Sequence, residues 1–421
     1  MKNRRRAPRR EAAEGGGRLR AGALLDVKVE RILPGGVGLA HAEGQTLFVS
    51  LAAPGDLARV RVESVRGRAL FATIVEVLEP SGVRAEPPCP YFGRCGGCDF
   101  QQLTYEAQLA AKAEIIRDCL RRVAHAEPPA EIEVVPSPEV WRYRSRARWQ
   151  HDAVRRHLGY YERGSHRVCD VADCPVAAPP VAERLARLRA SMSEGNLPQA
   201  PEFEAVAGDD GVALDPSVEP EDGREQSRRI GGETYRFDAG CFFQINHALL
   251  APLIEEGLRG TADGGDTALD LYSGVGLFTL PLARRFRRVV AVEGNPASAR
   301  YARRNLSDAT LPNARVETSA VGDWLSRHAG GLGRADFVLL DPPRAGADPE
   351  TVRGIIGLKP AHISYVSCDP ATLARDLRLL LDADYHIHSL RAFDMFPQTH
   401  HVETVVHLRK NYSVFHLRAN E

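Results

Sequence analysis

The sequence predicts a multidomain α/β protein with three folded parts. The chain has 421 residues, and since single domains cluster near ~100 to 200 residues, more than one core is expected. Short β-rich segments broken by turn residues, between residues 24 and 79, predict a small N-terminal β-barrel of the OB type. From residue 266 onward, strand and helix patterns alternate, which is typical of a doubly wound parallel sheet. A mixed, strand-rich central domain is expected between these parts.

Shifts in composition indicate where the parts begin and end. Residues 1–20 contain eight Lys or Arg and two Glu, which predicts a disordered basic arm. Residues 194–226 contain ten acidic residues and one Arg, which predicts a solvated acidic loop with no binding role. The predicted parts are the arm at 1–21, the barrel at 22–80, the central domain at 81–240 and the doubly wound domain at 241–421.

Hydropathy and the N-terminal sequence argue against a membrane-spanning or a secreted protein. Lys and Arg number 55, as do Asp and Glu, so the net charge is zero, and the mean hydropathy is -0.28. No apolar run approaches the ~18 residues of a membrane-spanning helix. The basic N-terminus is not followed by the apolar stretch of a secretory signal. We therefore expect a cytoplasmic protein with no membrane partner, and the sequence indicates no obligate protein partner.

A glycine turn follows the first strand of the alternating region. The segment LDLYSGVG, residues 269–276, predicts a buried strand that runs into a helix, and Gly274 and Gly276 allow a ligand to approach the backbone. Glu293 closes the next strand, where a carboxylate can bind ribose hydroxyls. A dinucleotide fingerprint would need a small third residue at position 279, where this sequence has Thr279. The pattern therefore resembles class I S-adenosylmethionine methyltransferases instead.

Two further motifs follow strands of the same predicted sheet. Asp341 begins the segment DPPR, in which Arg344 occupies the position where methyltransferases of exocyclic amines tend to have an aromatic residue. A different chemistry is therefore indicated. Cys368 ends the strand ISYVSC and precedes a helix, whose N-terminus is expected to lower the pKa of the thiol.

A reactive thiol in a methyltransferase indicates methylation of a pyrimidine at C5. Thiolate addition at C6 makes C5 nucleophilic, and a base must then remove the C5 proton so that the thiol can leave. Glu403, just before the last predicted strand, is the candidate base. The alternatives are a buried, inert Cys368 and a solvated or ion-paired Glu403.

Three cysteines lie together in a glycine-rich segment. Cys89, Cys95 and Cys98 form a C-x5-C-x2-C pattern, and in a reducing compartment such clusters bind metal more often than they form disulfides. A fourth thiolate is needed, for which Cys174 and Cys169 are the candidates. Thiolate ligation suits zinc or a 4Fe-4S cluster, and the spacing alone slightly favours zinc.

Residues 141–161 interleave arginines with aromatic residues. As a strand, this segment would have its arginines on one face, to contact RNA phosphates, and its aromatics on the other, to stack on unpaired bases. The alternative is that the aromatics belong to the core and the arginines to a solvated surface. The arginines are Arg142, Arg144, Arg146 and Arg148, and the aromatics are Trp141, Tyr143 and Trp149. The substrate base must be unpaired or flipped out to reach a thiol.

Together these motifs resemble the RNA (uracil-5-)-methyltransferases that have an N-terminal TRAM barrel and a 4Fe-4S cluster. The resemblance extends from about residue 24 to residue 408. Residues 22–80 look like the TRAM domain, and CPYFGRCGGCDF and DVADCP look like the cluster segments. The C-terminal half resembles the class I methyltransferase domain of this family through FFQIN, LDLYSGVG, VEGN, LLDPPRAG, SCDPATLARDL and FDMFPQTHHVE.

The resemblance implies two cofactors, S-adenosylmethionine and a 4Fe-4S cluster, and it assigns residues to each. Cys368 would be the nucleophile and Glu403 the base. The cluster would be bound by Cys89, Cys95, Cys98 and Cys174. S-adenosylmethionine would be bound by Gln244, Tyr272, Gly274, Glu293 and Asp341.

The expected function is methyl transfer from S-adenosylmethionine to C5 of a uridine in structured RNA. Ribosomal RNA, in particular 23S rRNA, is the expected partner, with tRNA as the alternative. Methylation of cytidine at C5 would use the same thiol addition. A different class of function is an RNA-binding assembly factor without catalysis, against which the presence of Cys368 and Glu403 argues.

Overall fold

The computed structural model describes residues 19–219, 222–223, 225–328 and 335–411. Apart from residues 19–21, the predicted basic arm lies outside the described residues. The part of the chain that is described forms sheets of six, five, two and eight strands. No helix within it combines the length and the apolar character needed to cross a membrane.

The N-terminal sheet has six strands and confirms the predicted β domain. Its strand order is β1-β5-β6-β4-β3-β2, and its neighbouring strands are antiparallel except for the parallel pair β4 and β6. Val60 and Val62 are fully buried and alternate with more exposed residues, as expected for strands that cover one core. The strands are β1 (Leu24–Lys28), β2 (Arg31–Leu33), β3 (Val37–Ala42), β4 (Gln45–Ser50), β5 (Leu57–Arg66) and β6 (Ala69–Glu79).

The central region contains two helices and a five-stranded antiparallel sheet of order β10-β9-β8-β11-β12. One turn of π-helix extends the first helix, and the second helix packs on the sheet. The elements are α1 (Tyr105–Cys119), β7 (Val134–Val135), β8 (Arg146–Asp152), β9 (His157–Tyr161), β10 (Val168–Asp170), α2 (Pro179–Glu194), β11 (Glu202–Ala207) and β12 (Val212–Asp215).

The acidic loop predicted for residues 194–226 is wrong, because this segment supplies β11 and β12 to the central sheet. Phe203 and Ala205 are fully buried on one face of β11, whereas Glu202 and Glu204 alternate with them on the other face. The acidic residues therefore form the outer face of a strand, and the net charge of the segment concealed the alternation.

The C-terminal sheet has eight strands in the order β17-β16-β15-β18-β19-β21-β20-β7. The strands from β15 to β19 are parallel, as predicted, whereas β21 is antiparallel to both of its neighbours. A separate hairpin, β13 and β14, packs against its core. The remaining elements are β13 (Glu225–Ile230), β14 (Glu233–Asp238), α3 (Leu250–Gly257), β15 (Gly265–Leu271), α4 (Thr279–Ala283), β16 (Phe286–Glu293), α5 (Pro296–Asp308), β17 (Ala314–Thr318), α6 (Val321–His328), β18 (Phe337–Leu340), α7 (Pro349–Gly357), β19 (His362–Ser367), α8 (Pro370–Leu381), β20 (Tyr385–Phe393) and β21 (Glu403–Lys410).

The core of the C-terminal sheet also includes residues from the central region. Ile116, Cys119 and Leu120 are buried in the cluster that covers one face of the sheet, and β7 adds a parallel strand beside β20. Residues 105–135 therefore belong to the same packed unit as the doubly wound domain.

A buried ion pair joins α1 to the segment between β20 and β21. The ammonium of Lys112 contacts the carboxylate of Asp394, and both side chains are fully buried. The same ammonium donates to the carbonyl of Phe396 at 3.1 Å. One turn earlier, Gln108 and Gln398 exchange two hydrogen bonds of 3.0 and 2.9 Å. These contacts fix the segment immediately before Glu403.

We expect Lys112→Met to lower the free energy of unfolding by about 3–5 kcal/mol, because it leaves the buried carboxylate of Asp394 without its counter-charge. Urea denaturation would measure the change. The double variant Lys112→Met/Asp394→Asn should recover part of the loss. Arg117→Met on the same helix removes a half-exposed ion pair with Glu114, so it should cost less than about 1 kcal/mol. Equal effects of Lys112→Met and Arg117→Met would contradict the prediction.

Candidate active site and thiol cavity

The carboxyl edge of the parallel strands brings three predicted cofactor residues into one row. Leu271, the last residue of β15, pairs with Val292 in β16 and with Leu340 in β18. The residues that follow Leu271, Val292 and Leu340 are Tyr272, Glu293 and Asp341, so the pairing of the three strands aligns them. Ligands of doubly wound sheets bind at this edge.

The glycine turn after β15 is held by Glu293. One carboxylate oxygen of Glu293 accepts a hydrogen bond from the amide of Gly274 at 2.7 Å, and the other accepts one from the amide of Asn295 at 2.6 Å. Gly274 has a φ of 55° and Gly276 a φ of 96°, and the left-handed region favours glycine at both positions. The turn therefore exposes backbone beside a carboxylate.

Gln244 and Asp341 are brought together although they are about 100 residues apart in the chain. Burial raises the pKa of Asp341 to about 7, and a hydrogen bond from the Gln244 side chain acts in the opposite direction. Tyr272 directs its hydroxyl toward Thr351 in α7, and burial raises its pKa. All five predicted cofactor residues thus lie along the carboxyl edge of the sheet.

Sequence reasoning missed Asp270 at the end of β15. It is 1% exposed, it accepts a hydrogen bond from the Thr279 hydroxyl, and burial, together with Asp341 and Glu293, raises its pKa to about 7. The only signal in the sequence is an acid between two apolar leucines, near the end of the strand.

Cys368 and Glu403 lie opposite each other across two strands. In the antiparallel pair β19 and β21, Ser367 pairs with Thr404, so the next position along the register places Cys368 opposite Glu403. Residues opposed in this way have Cβ atoms about 4.5–5.5 Å apart. The predicted nucleophile and the predicted base are therefore neighbours, beside the cofactor edge.

The prediction that the helix N-terminus lowers the thiol pKa is wrong. Burial raises the pKa of Cys368 to about 12, the carboxylates of Glu403 and Asp341 raise it further, and Arg344 opposes them. Asp369 caps α8, and its side chain accepts hydrogen bonds from the first free amides of the helix, those of Ala371 and Thr372, at 3.0 and 2.9 Å. The free amides at the N-terminus of α8 are thus already hydrogen-bonded to the carboxylate of Asp369.

Glu403 is a deeply buried carboxyl group, not a solvated one. It is 1% exposed, and within the described part of the chain neither carboxyl oxygen has a hydrogen-bond partner. Burial, followed by Asp341, raises its pKa well above the usual value, while Arg344 acts in the opposite direction. An unpartnered buried carboxyl group is costly, and such groups are characteristic of catalytic sites.

Four of the predicted metal ligands line one cavity of about 260 Å³, here called the thiol cavity. They are Cys89, Cys95, Cys98 and Cys174. Cys169 does not line it; this residue is fully buried, and its sulfur accepts a hydrogen bond from Arg94 at 3.2 Å. Burial raises the pKa of Cys95 to about 11 and of Cys98 to about 12.

The four thiols face a shared space without converging on a point. Across the described ranges, no three His, Cys, Asp or Glu side chains are arranged to hold a metal ion as they stand. The thiol cavity is much larger than a single zinc ion, and it is also lined by Arg144, Arg148 and Arg344. Space, soft ligands and cationic side chains suit an anionic inorganic group of several atoms.

In residues 141–149 the arginines share one face and the aromatics the other, as predicted, but the expectation that the aromatics stack on bases is wrong for Tyr143 and Trp149. Tyr143 and Trp149 are buried in the core, which confirms the alternative for these two aromatics. Arg142 pairs with Asp173, with its shortest contact at 2.7 Å. Arg146 pairs with Glu204 at 2.8 Å and also donates to the carbonyls of residues 239 and 241. Arg146 is therefore held within the fold, whereas the pair of Arg142 and Asp173 lies at the surface.

Comparisons with known proteins agree with this architecture. A family model described as tRNA (Uracil-5-)-methyltransferase matches residues 224–324 and 332–411, and the TRAM domain model matches residues 18–75. An RNA methyltransferase of Streptomyces avermitilis is 36% identical, over 91% of this chain and 98% of the relative. A 23S rRNA (uracil(1939)-C(5))-methyltransferase of Pseudomonas putida is 34% identical, over 90% of this chain and 92% of the relative.

A solved structure extends the likeness to the whole fold. The tRNA (uracil-54, C5)-methyltransferase of Pyrococcus abyssi, in complex with S-adenosyl-L-homocysteine, matches with a TM-score of 0.68 and 27% identity, over 91% of this chain and 100% of that one. The fold and the site define an S-adenosylmethionine-dependent methyltransferase with an N-terminal TRAM domain. The chain belongs to the RNA (uracil-5-)-methyltransferase family.

We expect the affinity for S-adenosylmethionine to fall as the pH drops below 7. Asp341 keeps its proton up to about pH 7, and a cationic ligand favours the ionised carboxylate, so binding must expel that proton at lower pH. The affinity measured by calorimetry should decrease roughly fivefold from pH 7 to pH 6. Asp341→Asn should bind more weakly and with a flatter profile. A flat profile for the unaltered protein would exclude this role of Asp341.

Proposed function

We propose that this enzyme methylates C5 of a uridine in 23S rRNA, at the position equivalent to uracil 1939. The relatives from Pseudomonas putida, Thiobacillus denitrificans and Vibrio parahaemolyticus carry this activity in their names, at 34%, 32% and 31% identity. The chemistry is supported by the register of β19 and β21, in which Ser367, the residue before Cys368, pairs with Thr404, the residue after Glu403. A tRNA substrate, as in the name of the Pyrococcus abyssi protein, is the competing assignment.

In the proposed reaction, the thiolate of Cys368 forms a bond from sulfur to C6 of the uracil. The electrons of the C5=C6 double bond move toward the C4 carbonyl, which makes C5 nucleophilic. C5 would attack the methyl carbon of the S-adenosylmethionine sulfonium, the methyl–sulfur bond would break, and its electron pair would leave with sulfur as S-adenosylhomocysteine. Glu403 then takes the C5 proton, and the electron pair of that C–H bond restores the double bond and expels the thiolate.

The charges around the site indicate when this chemistry can begin. Burial and neighbouring carboxylates raise the pKa values of both Cys368 and Glu403, which favours the protonated form of each group. Arg344 is the nearby cation that lowers the pKa of both groups. We infer that positive charge added beside the pair favours loss of both protons to solvent, which gives the Cys368 thiolate and the Glu403 carboxylate that the reaction needs and limits reaction of the thiol before the cofactor is bound.

The cofactor edge has the groups that S-adenosylmethionine needs. Glu293 would bind the ribose hydroxyls, and Gly274 would allow the ligand to approach the backbone. Asp341 and Gln244 would bind the charged end of the ligand, and Tyr272 would line the site. These assignments rest on the alignment of strand ends and on two contacts, that of Gln244 with Asp341 and that of the Gly274 amide with Glu293.

We further propose that the thiol cavity holds a 4Fe-4S cluster. Cys89, Cys95, Cys98 and Cys174 would be its ligands, since all four line the cavity and Cys169 does not. Such a cluster supplies a covalent link between the segment of residues 89–98 and the loop that contains Cys174. Zinc is the alternative and requires the thiols to converge on one ion.

Two variants separate the catalytic roles by where the reaction stops. Cys368→Ala should form neither 5-methyluridine nor a covalent complex, because C5 is never activated. Glu403→Gln should still add and transfer methyl but should slow turnover roughly 10²- to 10⁴-fold, because thiol departure needs loss of the C5 proton. A covalent adduct between protein and RNA should then accumulate. Denaturing gels with a labelled 23S rRNA fragment spanning uridine 1939 would show it as a retarded band.

The controls are Cys119→Ala, a buried cysteine on α1, and Glu350→Gln, an exposed carboxylate on α7. Both should retain turnover and show no adduct. If Cys368→Ala still makes 5-methyluridine, the covalent mechanism fails. If Glu403→Gln turns over normally, the base is another group. Methylation of a tRNA transcript in place of the rRNA fragment would reassign the substrate.

The cluster proposal predicts iron and acid-labile sulfide in protein purified without oxygen. Cys174→Ser should lose both, whereas Cys169→Ser should retain them, because only Cys174 lines the thiol cavity. Metal analysis and visible absorbance would measure the content. The opposite result for these two variants would make Cys169 the fourth ligand, and zinc without iron would rule out the cluster.

A further inference from the structure

The turn between β2 and β3 of the N-terminal barrel packs against Asp99 and His400, which lie outside the barrel. Gly36 is buried at this turn, with a φ of 75°. A Cβ atom at Gly36 would lie 2.9 Å from the Cβ of His400 and 3.1 Å from Oδ2 of Asp99. The preceding Gly35 has a φ of 86°, but a Cβ atom there would have no described atom of a distant residue within 4 Å. Gly36 is therefore needed for a close approach, whereas Gly35 serves only the turn.

Asp99 and His400 form a mostly buried contact, here called the aspartate–histidine pair, that contains two hydrogen bonds. One carboxylate oxygen of Asp99 accepts from the amide of His400 at 2.8 Å, and the other accepts from Nδ1 of the His400 ring at 2.5 Å. The two side chains are 15% and 25% exposed. The amide of Asp99 also donates to the carbonyl of Gln398 at 3.1 Å. Asp99 therefore holds both the backbone and the ring of residue 400.

The barrel is fixed against the same part of the molecule on both sides of the turn. In β2, Ile32 is buried in an apolar cluster with Phe100, the residue that follows the aspartate. Arg31 forms an ion pair with Asp118 in α1. The turn at Gly36 is therefore held against the aspartate–histidine pair and cannot withdraw from it without loss of these contacts.

Glu403 lies three residues beyond His400, and its position depends on the backbone between them. Val402 is fully buried. No described residue forms a hydrogen bond with either carboxyl oxygen of Glu403. The position of the carboxyl group is therefore set by the point where the chain enters β21 and by packing. A general base must come within about 2.6–3.2 Å of the atom that carries its proton, and a misplacement of about 1 Å can slow a reaction roughly 10²-fold.

We propose that Asp99 and His400 are positioning residues for the base Glu403, and that Gly36 of the barrel holds them in place. The inference rests on the role proposed above for Glu403. This base acts only after the methyl group has been transferred, so a shift of Glu403 should slow removal of the C5 proton and leave the earlier steps intact. A contact between the turn and the RNA itself would instead change the affinity for RNA.

The first test compares Gly36→Ala with Gly35→Ala in the full-length protein, using the labelled 23S rRNA fragment. Gly36→Ala should slow turnover roughly 10- to 100-fold and accumulate the covalent adduct, because the added methyl group displaces His400. The affinity for RNA and the rate of methyl transfer in a single turnover should stay unchanged. Gly35→Ala puts the same side chain into the same left-handed region without a contact. It should therefore turn over as the unaltered protein does and show no adduct.

The second test removes the contacts of the aspartate–histidine pair directly. Asp99→Ala and His400→Ala should both accumulate the adduct. Asp99→Asn should retain most of the turnover, since the new amide can accept from the backbone and donate to Nδ1 of the other imidazole tautomer. Iron content is measured as well, because Asp99 follows Cys98; if Asp99→Ala loses iron, His400→Ala decides the result. The control His41→Ala removes an exposed contact of 2.8 Å with Glu30 on the barrel and should behave as the unaltered protein does.

The outcomes that would overturn the inference are distinct. If Gly36→Ala and His400→Ala slow methyl transfer in a single turnover as much as they slow turnover, the contacts have only a structural role. If Gly36→Ala weakens RNA binding and forms no adduct, the turn contacts RNA. Glu403→Gln is measured alongside. If it accumulates the adduct and the other variants do not, only the positioning role fails. If Glu403→Gln accumulates none, the base is another group, and the positioning role fails with that assignment.

Discussion

The arrangement of the site depends on the buried ion pair between Lys112 and Asp394. Asp394 follows β20 directly, and the residues up to 401 are then held from several sides. The carbonyl of Gln398 accepts hydrogen bonds from the amides of Asp99 and Phe100 at 3.1 and 3.0 Å. The Tyr143 hydroxyl donates to the carbonyl of residue 397 at 3.0 Å. Glu403 begins β21 directly after this segment. Its position is therefore set by contacts from residues 99–100, from α1 and from the central domain.

The same segment explains why the thiol cavity and the catalytic pair lie side by side. Phe396, Thr399 and His401 line the thiol cavity, and Glu403 lies two residues beyond the last of them. Arg344 lines that cavity too and lowers the pKa of both Cys368 and Glu403. Loss of order in the cysteine segment would therefore affect catalysis through the placement of Arg344 and Glu403, even though no cysteine ligand takes part in the proposed reaction.

Much of the fold, and the placement of most predicted site residues along one edge of the sheet, could be predicted because their signals are local. The glycine turn at Gly274, the acids at strand ends and the Cys89 to Cys98 pattern each occupy a few adjacent residues. Parallel strands end at one edge, so residues such as Glu293 and Asp341 could be expected to meet. That Cys174 and not Cys169 lines the thiol cavity could not be derived from spacing, since both lie at similar distances along the chain.

What the sequence concealed depends on partners that are far apart in the chain. Arg146 looked available for RNA until Glu204 and the carbonyls of residues 239 and 241 were found to bind it. The thiol of Cys368 was expected to have a lowered pKa because the sequence predicts the helix that follows it. The sequence does not show that Asp369 caps the N-terminus of that helix. The acidic segment was judged by net charge, although the alternation of Phe203 and Ala205 with glutamates is a strand pattern.

The chain reaches α1 and β7 long before the other strands of the sheet they pack with, and this order matters while the protein is being synthesised. Lys112 is separated from Asp394 by 282 residues, and ribosomes add roughly 5–20 residues per second. The apolar face of α1 therefore emerges on the order of 15 to 55 s before the sheet that will cover it exists. Until synthesis ends, Ile116 and Leu120 have no native partner in that sheet. The nascent chain therefore exposes the apolar face of this helix to solvent. Chaperone demand should accordingly concentrate on the N-terminal half, before any catalytic residue has been translated.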